Sequence, residues 1–210
     1  MTQKITKFIR DTLIDIVIIL LLVAGIRTFL VSPFQVEGSS MCPTLNEKNG
    51  VCESDFGEYL IISKFSYLIN EPERGDIIVL RPPNLPKESD QQYFIKRIIG
   101  LPGETLEIKN GEVFINGKKI EEKYIGKNKT YVTSRQKEEK FEIPEGKYFV
   151  TGDNRENSSD SRYCFRNAPL GCRGGKTRYV TKEIMEGKAW IILYPFKEIG
   201  LVPEGKFELK

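Results

Sequence analysis

Between Leu13 and Val31 the chain is almost wholly apolar, and Ile16 to Ile26 holds only apolar residues and one glycine. A helix of that length, at about 1.5 Å per residue, just crosses a hydrocarbon core of about 30 Å. Asp15 and Arg27 lie near the two ends of the stretch, where charge is least costly. Lys4, Lys7 and Arg10 precede it, and no basic residue follows until Lys48. The positive-inside rule then puts residue 1 in the cytoplasm and everything past Val31 outside. A cleaved secretory signal shares the basic start and apolar middle. The run is long for such a signal, however, and Arg27-Thr28-Phe29-Leu30-Val31 offers no small-x-small cleavage site. The expectation is one uncleaved span, with residues 1–31 forming a cytoplasmic tip and anchor in a lipid bilayer. Leu60-Ile61-Ile62 and Ile77-Ile78-Val79-Leu80 are too short for a second span and read as buried strands.

The rest of the 210 residues has the balance of a folded domain. Over the whole chain, 32 basic and 29 acidic residues leave a net charge of +3, which argues against a nucleic-acid partner. There is no histidine. A Ser-His-Asp triad, a Cys-His dyad and a His-ligated metal are therefore excluded, and acid–base chemistry falls to Lys, Asp, Glu, Tyr or Cys.

Past residue 32 the pattern is that of short strands between turns. Glu58 to Phe65, Asp76 to Arg81, Tyr93 to Ile99, Tyr148 to Thr151 and Ala189 to Tyr194 are β-branched or aromatic runs. Asn110-Gly111 and Asn116-Gly117 sit between strand-like segments and predict two tight hairpins, hence a three-strand meander over Thr105 to Ile120. The charged stretch Gly126 to Lys140 reads as a solvated loop or exposed edge. Thr181 to Glu186 reads as one helical turn closed by Gly187. The class is mainly β on a single transmembrane helix.

Three segments ask for chemistry. In Gly38-Ser39-Ser40-Met41-Cys42-Pro43-Thr44-Leu45, a glycine and a proline hold serines in a restrained turn. Ser40 is nine residues past Val31, at most about 30 Å along the chain from the membrane edge. In Phe94 to Gly103, each face of a strand carries one cation: Lys96 with Phe94 and Ile98, Arg97 with Ile95 and Ile99. Arg97 stays charged and needs a carboxylate or solvent. A desolvated Lys96 can instead become a neutral amine able to accept a hydroxyl proton. Gly152 to Arg162 is dense in turn formers and acceptors. It does not fit a calcium loop, because counted from Asp153 its third position is Arg155 and its sixth is not glycine.

Together these segments resemble the boxes of type I signal peptidases, membrane-anchored Ser/Lys proteases. The boxes stand here as Ser40-Met41-Cys42-Pro43-Thr44-Leu45, Lys96-Arg97-Ile98-Ile99-Gly100-Leu101-Pro102-Gly103, and Gly152 through Arg162. Arg74 to Val79 resembles a further, structural box. The likeness runs from the anchor to about Tyr163 and returns near Gly187 to Pro195. The resemblance implies Ser40 as nucleophile, Lys96 as general base and the Ser40 N–H as an oxyanion donor. It implies that Ser158 orients the lysine amine, that Asp160 and Arg162 brace the site, that Gly152 allows close packing, and that Met41 lines the substrate cleft. It implies a curved antiparallel β domain, residues 32–103 and 149–210, around a smaller β insert, residues 104–148. No cofactor and no metal are implied. The implied partners are signal-peptide-bearing preproteins, cut after small residues at −1 and −3, and the implied location is the bacterial plasma membrane with the catalytic domain outside. Rival readings are a specialised processing protease for a conjugation or pilus substrate, and a non-catalytic anchored module that binds exported chains.

Several features depart from the family pattern. Gly38 stands where some relatives carry a serine that aids the oxyanion, so the second donor is unassigned. An insertion with Cys172 follows Cys164. Four cysteines allow three pairings; Cys164 with Cys172 is the first choice, Cys42 with Cys52 the remainder, and free thiols are the alternative. Ser134-Arg135-Gln136-Lys137 matches an S-x-x-K pattern but lies in a charged run and reads as chance.

Overall fold

The structure is a computed structural model and describes residues 2–83, 93–125, 138–165, 177–205 and 207. Helix α1 (Thr2–Phe29) is long and apolar enough over Lys7–Phe29 to cross a membrane, and none of that stretch is buried by the rest of the chain. It stops two residues before the expected end of the span, because Val31 already belongs to a strand.

The strands follow in short succession. They are β1 (Val31–Glu37), the ribbon β2 (Glu47–Lys48) and β3 (Val51–Cys52), and β4 (Phe56–Ser63). The short helix α2 (Ser66–Ile69) leads to β5 (Ile77–Leu80) and β6 (Phe94–Gly100). Next come β7 (Thr105–Lys109), β8 (Glu112–Ile115), β9 (Lys118–Lys119) and β10 (Glu138–Glu142). The chain then continues through β11 (Lys147–Thr151), β12 (Val180–Thr181), β13 (Met185–Tyr194) and β14 (Gly200–Leu201).

The main sheet has the order β1-β4-β13-β5-β6-β11-β12, with β14 also on β13, and every pairing in it is antiparallel. Its register shifts between Gln35 and Glu37, Ala189 and Ile191, Met185 and Gly187, and Phe149 and Val150. Such bulges bend a strand and increase its twist. The result is the curled sheet expected, and the curl brings the turn after β1 to the middle of β6. All seven residues of β6 are buried, because both of its faces are covered. Phe94 and Ile98 pack with Ile78, Leu80, Tyr148, Val150 and Phe165. On the other face Ile95 joins Val36, Met41, Leu45, Leu60 and Ile62. Each fully buried side chain of this size stabilises the fold by roughly 2 kcal/mol.

The second sheet, β10-β7-β8-β9, contains the expected meander. Asn110 and Gly111, and Asn116 and Gly117, all have positive φ (52°, 82°, 50° and 80°), as a two-residue turn of this hand requires. Phe141 and Ile143 from the β10 side join Leu106, Ile108, Val113 and Ile115 in a core that also takes Ile99 and Phe149 from the main sheet. Of the stretch read as a solvated loop or exposed edge, Gly126–Lys140, residues 126–137 lie outside the described residues, and 138–140 open β10 at the sheet's outer edge, as one of the two readings had it. One expectation changes. The turn at Thr181–Glu186 is a 3-10 turn over Lys182–Ile184 only, and Gly187 lies inside β13. Its missing side chain lets Ser63 approach: a Cβ there would sit 2.5 Å from the Ser63 carbonyl oxygen.

The described cysteines are paired rather than free. Cys42 and Cys52 form a disulfide, joining the turn after β1 to the ribbon. Cys164 is disulfide-bonded as well; its expected partner Cys172 lies outside the described residues, as does the Ser134–Lys137 motif.

Gly75 ties β6 to the C-terminal segment. Its N–H donates to the Ile98 carbonyl and its own carbonyl accepts from Arg97, at 2.9 and 2.8 Å. Its φ is +98°, and a Cβ would lie 2.5 Å from the Gly205 carbonyl oxygen. Gly75→Ala is expected to cost about 1–3 kcal/mol, read as a lower thermal midpoint; an unchanged midpoint would contradict this account of the junction.

Candidate active site

The turn after β1 and the middle of β6 meet at one polar contact. Lys96 Nζ lies 2.8 Å from Ser40 Oγ. The amine donates a second bond to the Ile95 carbonyl at 2.6 Å, and the Phe94 ring lies beside it with its centroid 5.2 Å away. Lys96 is 3% exposed. Burial lowers its pKa from 10.5 to about 8, against the pull of Asp160 and Asp153 and with help from Arg162. Ser40 is half-buried, so its hydroxyl is reachable from outside while the amine behind it is not.

The segment from Gly152 to Arg162 locks this contact from the other side. The Asn154 N–H donates to the Ser40 carbonyl at 3.0 Å, and the Asn154 side-chain amide donates to the Ser39 carbonyl at 3.1 Å. Asn157 donates to the Ser39 hydroxyl at 2.8 Å. Gly152 is pressed against the turn so closely that a Cβ would be 2.3 Å from the Ser40 carbonyl oxygen and 2.4 Å from Ser158 Oγ. Only a residue without a side chain fits there.

Behind this contact stand two fully buried ion pairs. Arg97 grips Asp153 with two bonds, Nε to Oδ1 at 2.9 Å and Nη2 to Oδ2 at 2.7 Å. Arg162 grips Asp160 likewise, at 2.9 and 2.8 Å. Burial alone would favour the acid form of Asp160; the Arg162 guanidinium and the Gly152 N–H outweigh it and hold the carboxyl below its ordinary range. Thr44, in the same turn as Ser40, donates to Asp153 at 2.5 Å, which links the first box to the second through the third.

The residues singled out from sequence thus largely converge. Ser40, Lys96, Gly152, Asp160 and Arg162 meet in one place, and Asp160 and Arg162 are the anticipated ion pair. Two differ. Met41 is 0% exposed and lies in the core with Val36, Leu45 and Leu60. The turn that presents Ser40 outward points its neighbour inward, so Met41 supports the loop from below rather than lining a cleft. Ser158 Oγ is buried but does not bind the lysine: among the described residues Lys96 Nζ bonds Ser40 and the Ile95 carbonyl. Sequence reasoning passed over Asn154 and Asp153, although both stand inside the third box. It also passed over Glu122 and Tyr124, which meet Arg155 and Arg97 and which no local pattern marks.

With the amine neutral, the hydroxyl donates to Nζ, and a carbonyl carbon placed against Oγ can be attacked as the proton moves to nitrogen. Among the described residues no group of Asp, Glu and Cys could hold a metal ion.

A family model described as signal peptidase, peptidase S26 matches residues 9–194. Signal peptidase I S of Bacillus subtilis is 37% identical over 194 residues, 88% of each chain. Signal peptidase I T of the same organism is 36% identical over 207 residues, 94% of each chain. A crystal structure of a signal peptidase I from Enterococcus faecalis is 32% identical, matching 57% of this chain and 97% of its own, with a TM-score of 0.42.

Gly152→Ala is expected to push the turn off Asn154 and separate the serine from the lysine. A fall in turnover of about 100-fold is expected, with far-ultraviolet circular dichroism unchanged. Wild-type turnover in the variant would show that the close approach at Gly152 is dispensable.

Proposed function

This chain belongs to the signal peptidase, peptidase S26 family, and on that footing we propose that it cleaves signal peptides from exported preproteins with Ser40 as nucleophile and Lys96 as general base. The activity is that of a signal peptidase I. The observation that carries the dyad is the 2.8 Å contact between Lys96 Nζ and Ser40 Oγ, made where the amine is almost wholly removed from water.

The reaction follows from that contact. Neutral Lys96 takes the Ser40 proton as Oγ attacks the scissile carbonyl carbon. The carbonyl oxygen becomes an oxyanion, and the Ser40 N–H is one donor to it; a donor of this kind is worth about 3 kcal/mol in other serine proteases. The protonated amine then gives its proton to the leaving nitrogen, and the C–N bond breaks to leave an acyl ester on Ser40. Water attacks the ester as Lys96 accepts its proton, and the ester bond breaks to return the hydroxyl. Gly152, Asp160 and Arg162 hold the loop that closes on Ser40, Met41 supports the turn, and Ser158 Oγ lies behind Gly152.

The substrate binds as an added strand, its main chain pairing with the sheet. Support for this comes from β1, which is an edge of the main sheet and runs directly into Gly38, Ser39 and Ser40. Small residues are preferred at −1 and −3, as the family resemblance implies. Helix α1 anchors the chain in the bacterial plasma membrane as a single span. Lys4, Lys7 and Arg10 before the apolar run and the absence of basic residues between Val31 and Lys48 orient residue 1 to the cytoplasm and the catalytic sheet, 32–103 and 149–210 around the insert 104–148, to the outside.

Two measurements test the dyad. Ser40→Ala and Lys96→Ala, in the full-length chain in vesicles, are each expected to lower processing of a preprotein by at least about 1,000-fold. Processing by both variants at the wild-type rate would remove the proposed dyad, and a wild-type chain that leaves the preprotein uncut would leave an anchored binding module as the better reading. For pH, the amine must be uncharged to act. The rate constant kcat/KM should therefore fall as pH drops through about 8. A limb near the ordinary lysine value, or none between pH 6 and 10, would remove Lys96 as the base.

A further inference from the structure

Two of the arginines beside the candidate site converge on a single short turn in the segment that leaves the second sheet. Residues Lys123–Ile125 form a 3-10 turn after β9. The Glu122 carboxylate accepts from both terminal nitrogens of Arg155, Oε2 from Nη1 at 2.9 Å and Oε1 from Nη2. The Tyr124 hydroxyl accepts from the same Nη2 at 3.1 Å and donates to Glu122 at 2.7 Å. The side chains of Arg155 and Glu122 are 0% and 5% exposed. The Tyr124 ring faces the Arg97 guanidinium at 4.2 Å, and Phe207 meets the ring edge-on at 5.6 Å.

Each of these arginines is one residue from a side chain that makes or holds the reacting pair. Arg97 follows Lys96. Arg155 follows Asn154, whose two bonds hold the Ser40 and Ser39 carbonyls, and Arg155 Nε donates to the Gly152 carbonyl at 3.0 Å. One turn therefore reaches the loop behind Ser40 through Arg155 and the strand bearing Lys96 through Arg97. Neither Glu122 nor Tyr124 touches Ser40 or Lys96.

Resting on the reading of Ser40 and Lys96 as the dyad, we propose that Glu122 and Tyr124 are positioning residues for the peptidase reaction, setting the spacing of serine and lysine through Arg155 and Arg97. The physical basis is the reach of a misplacement. Without the Glu122 carboxylate, the buried Arg155 guanidinium loses the anion that both its terminal nitrogens grip, and its side chain is free to shift. Arg155 carries the Gly152–Asn154 backbone with it. A shift of about 1 Å at a reacting pair lowers turnover by up to about 100-fold. Opening the loop also lets water reach the Lys96 amine, which raises its proton affinity.

The test uses the full-length chain in vesicles, a preprotein substrate, and the variants Glu122→Gln, Tyr124→Phe and Glu122→Gln with Arg155→Gln. Assays are run well below each variant's melting temperature. Glu122→Gln is expected to lower kcat by about 100-fold and Tyr124→Phe by about 10-fold, with KM changed by less than about threefold. The acid limb of kcat/KM should move up from about 8 in Glu122→Gln. The double variant should lose no more than Glu122→Gln alone, because the two side chains act as a unit. Wild-type kcat and an unmoved acid limb in both single variants would overturn the proposal. So would losses that track melting temperature alone and leave the limb in place. If Glu122→Gln does not fold, Tyr124→Phe, which keeps the ring on Arg97, decides on the same two readouts. A wild-type chain that leaves the preprotein uncut, or a Ser40→Ala variant that cuts it, would instead overturn the dyad beneath the proposal.

Discussion

An amine buried beside carboxylates ordinarily stays protonated, because the nearest anion stabilises the charge. Around Lys96 the two carboxylates that pull in that direction, Asp153 and Asp160, are each engaged by an arginine in a paired, fully buried grip. Arginine does not surrender its proton inside a protein, so those anions are neutralised by partners that cannot give way. The lysine is left with desolvation as the dominant influence and carbonyl and hydroxyl oxygens as its bonding partners. Two parts of the fold serve this arrangement. The curled sheet closes both faces of β6, and the third box packs its glycine against the serine turn.

Such a site works against stability as much as for it. Buried ion pairs contribute little net stability compared with apolar packing, yet breaking one by removing a single partner costs about 3–5 kcal/mol. The network through Arg97, Arg155 and Arg162 is therefore hard to alter one residue at a time. That property suits a constraint on geometry better than a source of folding free energy. The folding free energy comes from the apolar clusters on either side of β6 and under the second sheet.

How far the sequence revealed this follows from how local each signal is. The membrane helix, the Asn-Gly hairpins and the alternation of Phe94, Lys96 and Ile98 are set by neighbours in the chain, and they were readable. The convergence of Ser40, Lys96, Gly152, Asp160 and Arg162 was readable only through the family resemblance, since no spacing relates positions so far apart. Glu122 and Tyr124 were not readable at all: their role depends on a long-range approach of the second sheet to two arginines. Met41 was misassigned because a residue beside a nucleophile invites a place in the cleft, whereas a tight turn sends neighbouring side chains in opposite directions. Ser158 was assigned a bond that the lysine makes with the Ile95 carbonyl.

The bridge between Cys42 and Cys52 begins two residues after Ser40. Covalent bridges of this kind persist where the surroundings are oxidising and open where thiols are kept reduced. The segment that presents the serine is thus completed by a step that depends on compartment rather than on chain folding alone. A copy held where thiols are kept reduced would carry the serine turn without this tether to the ribbon.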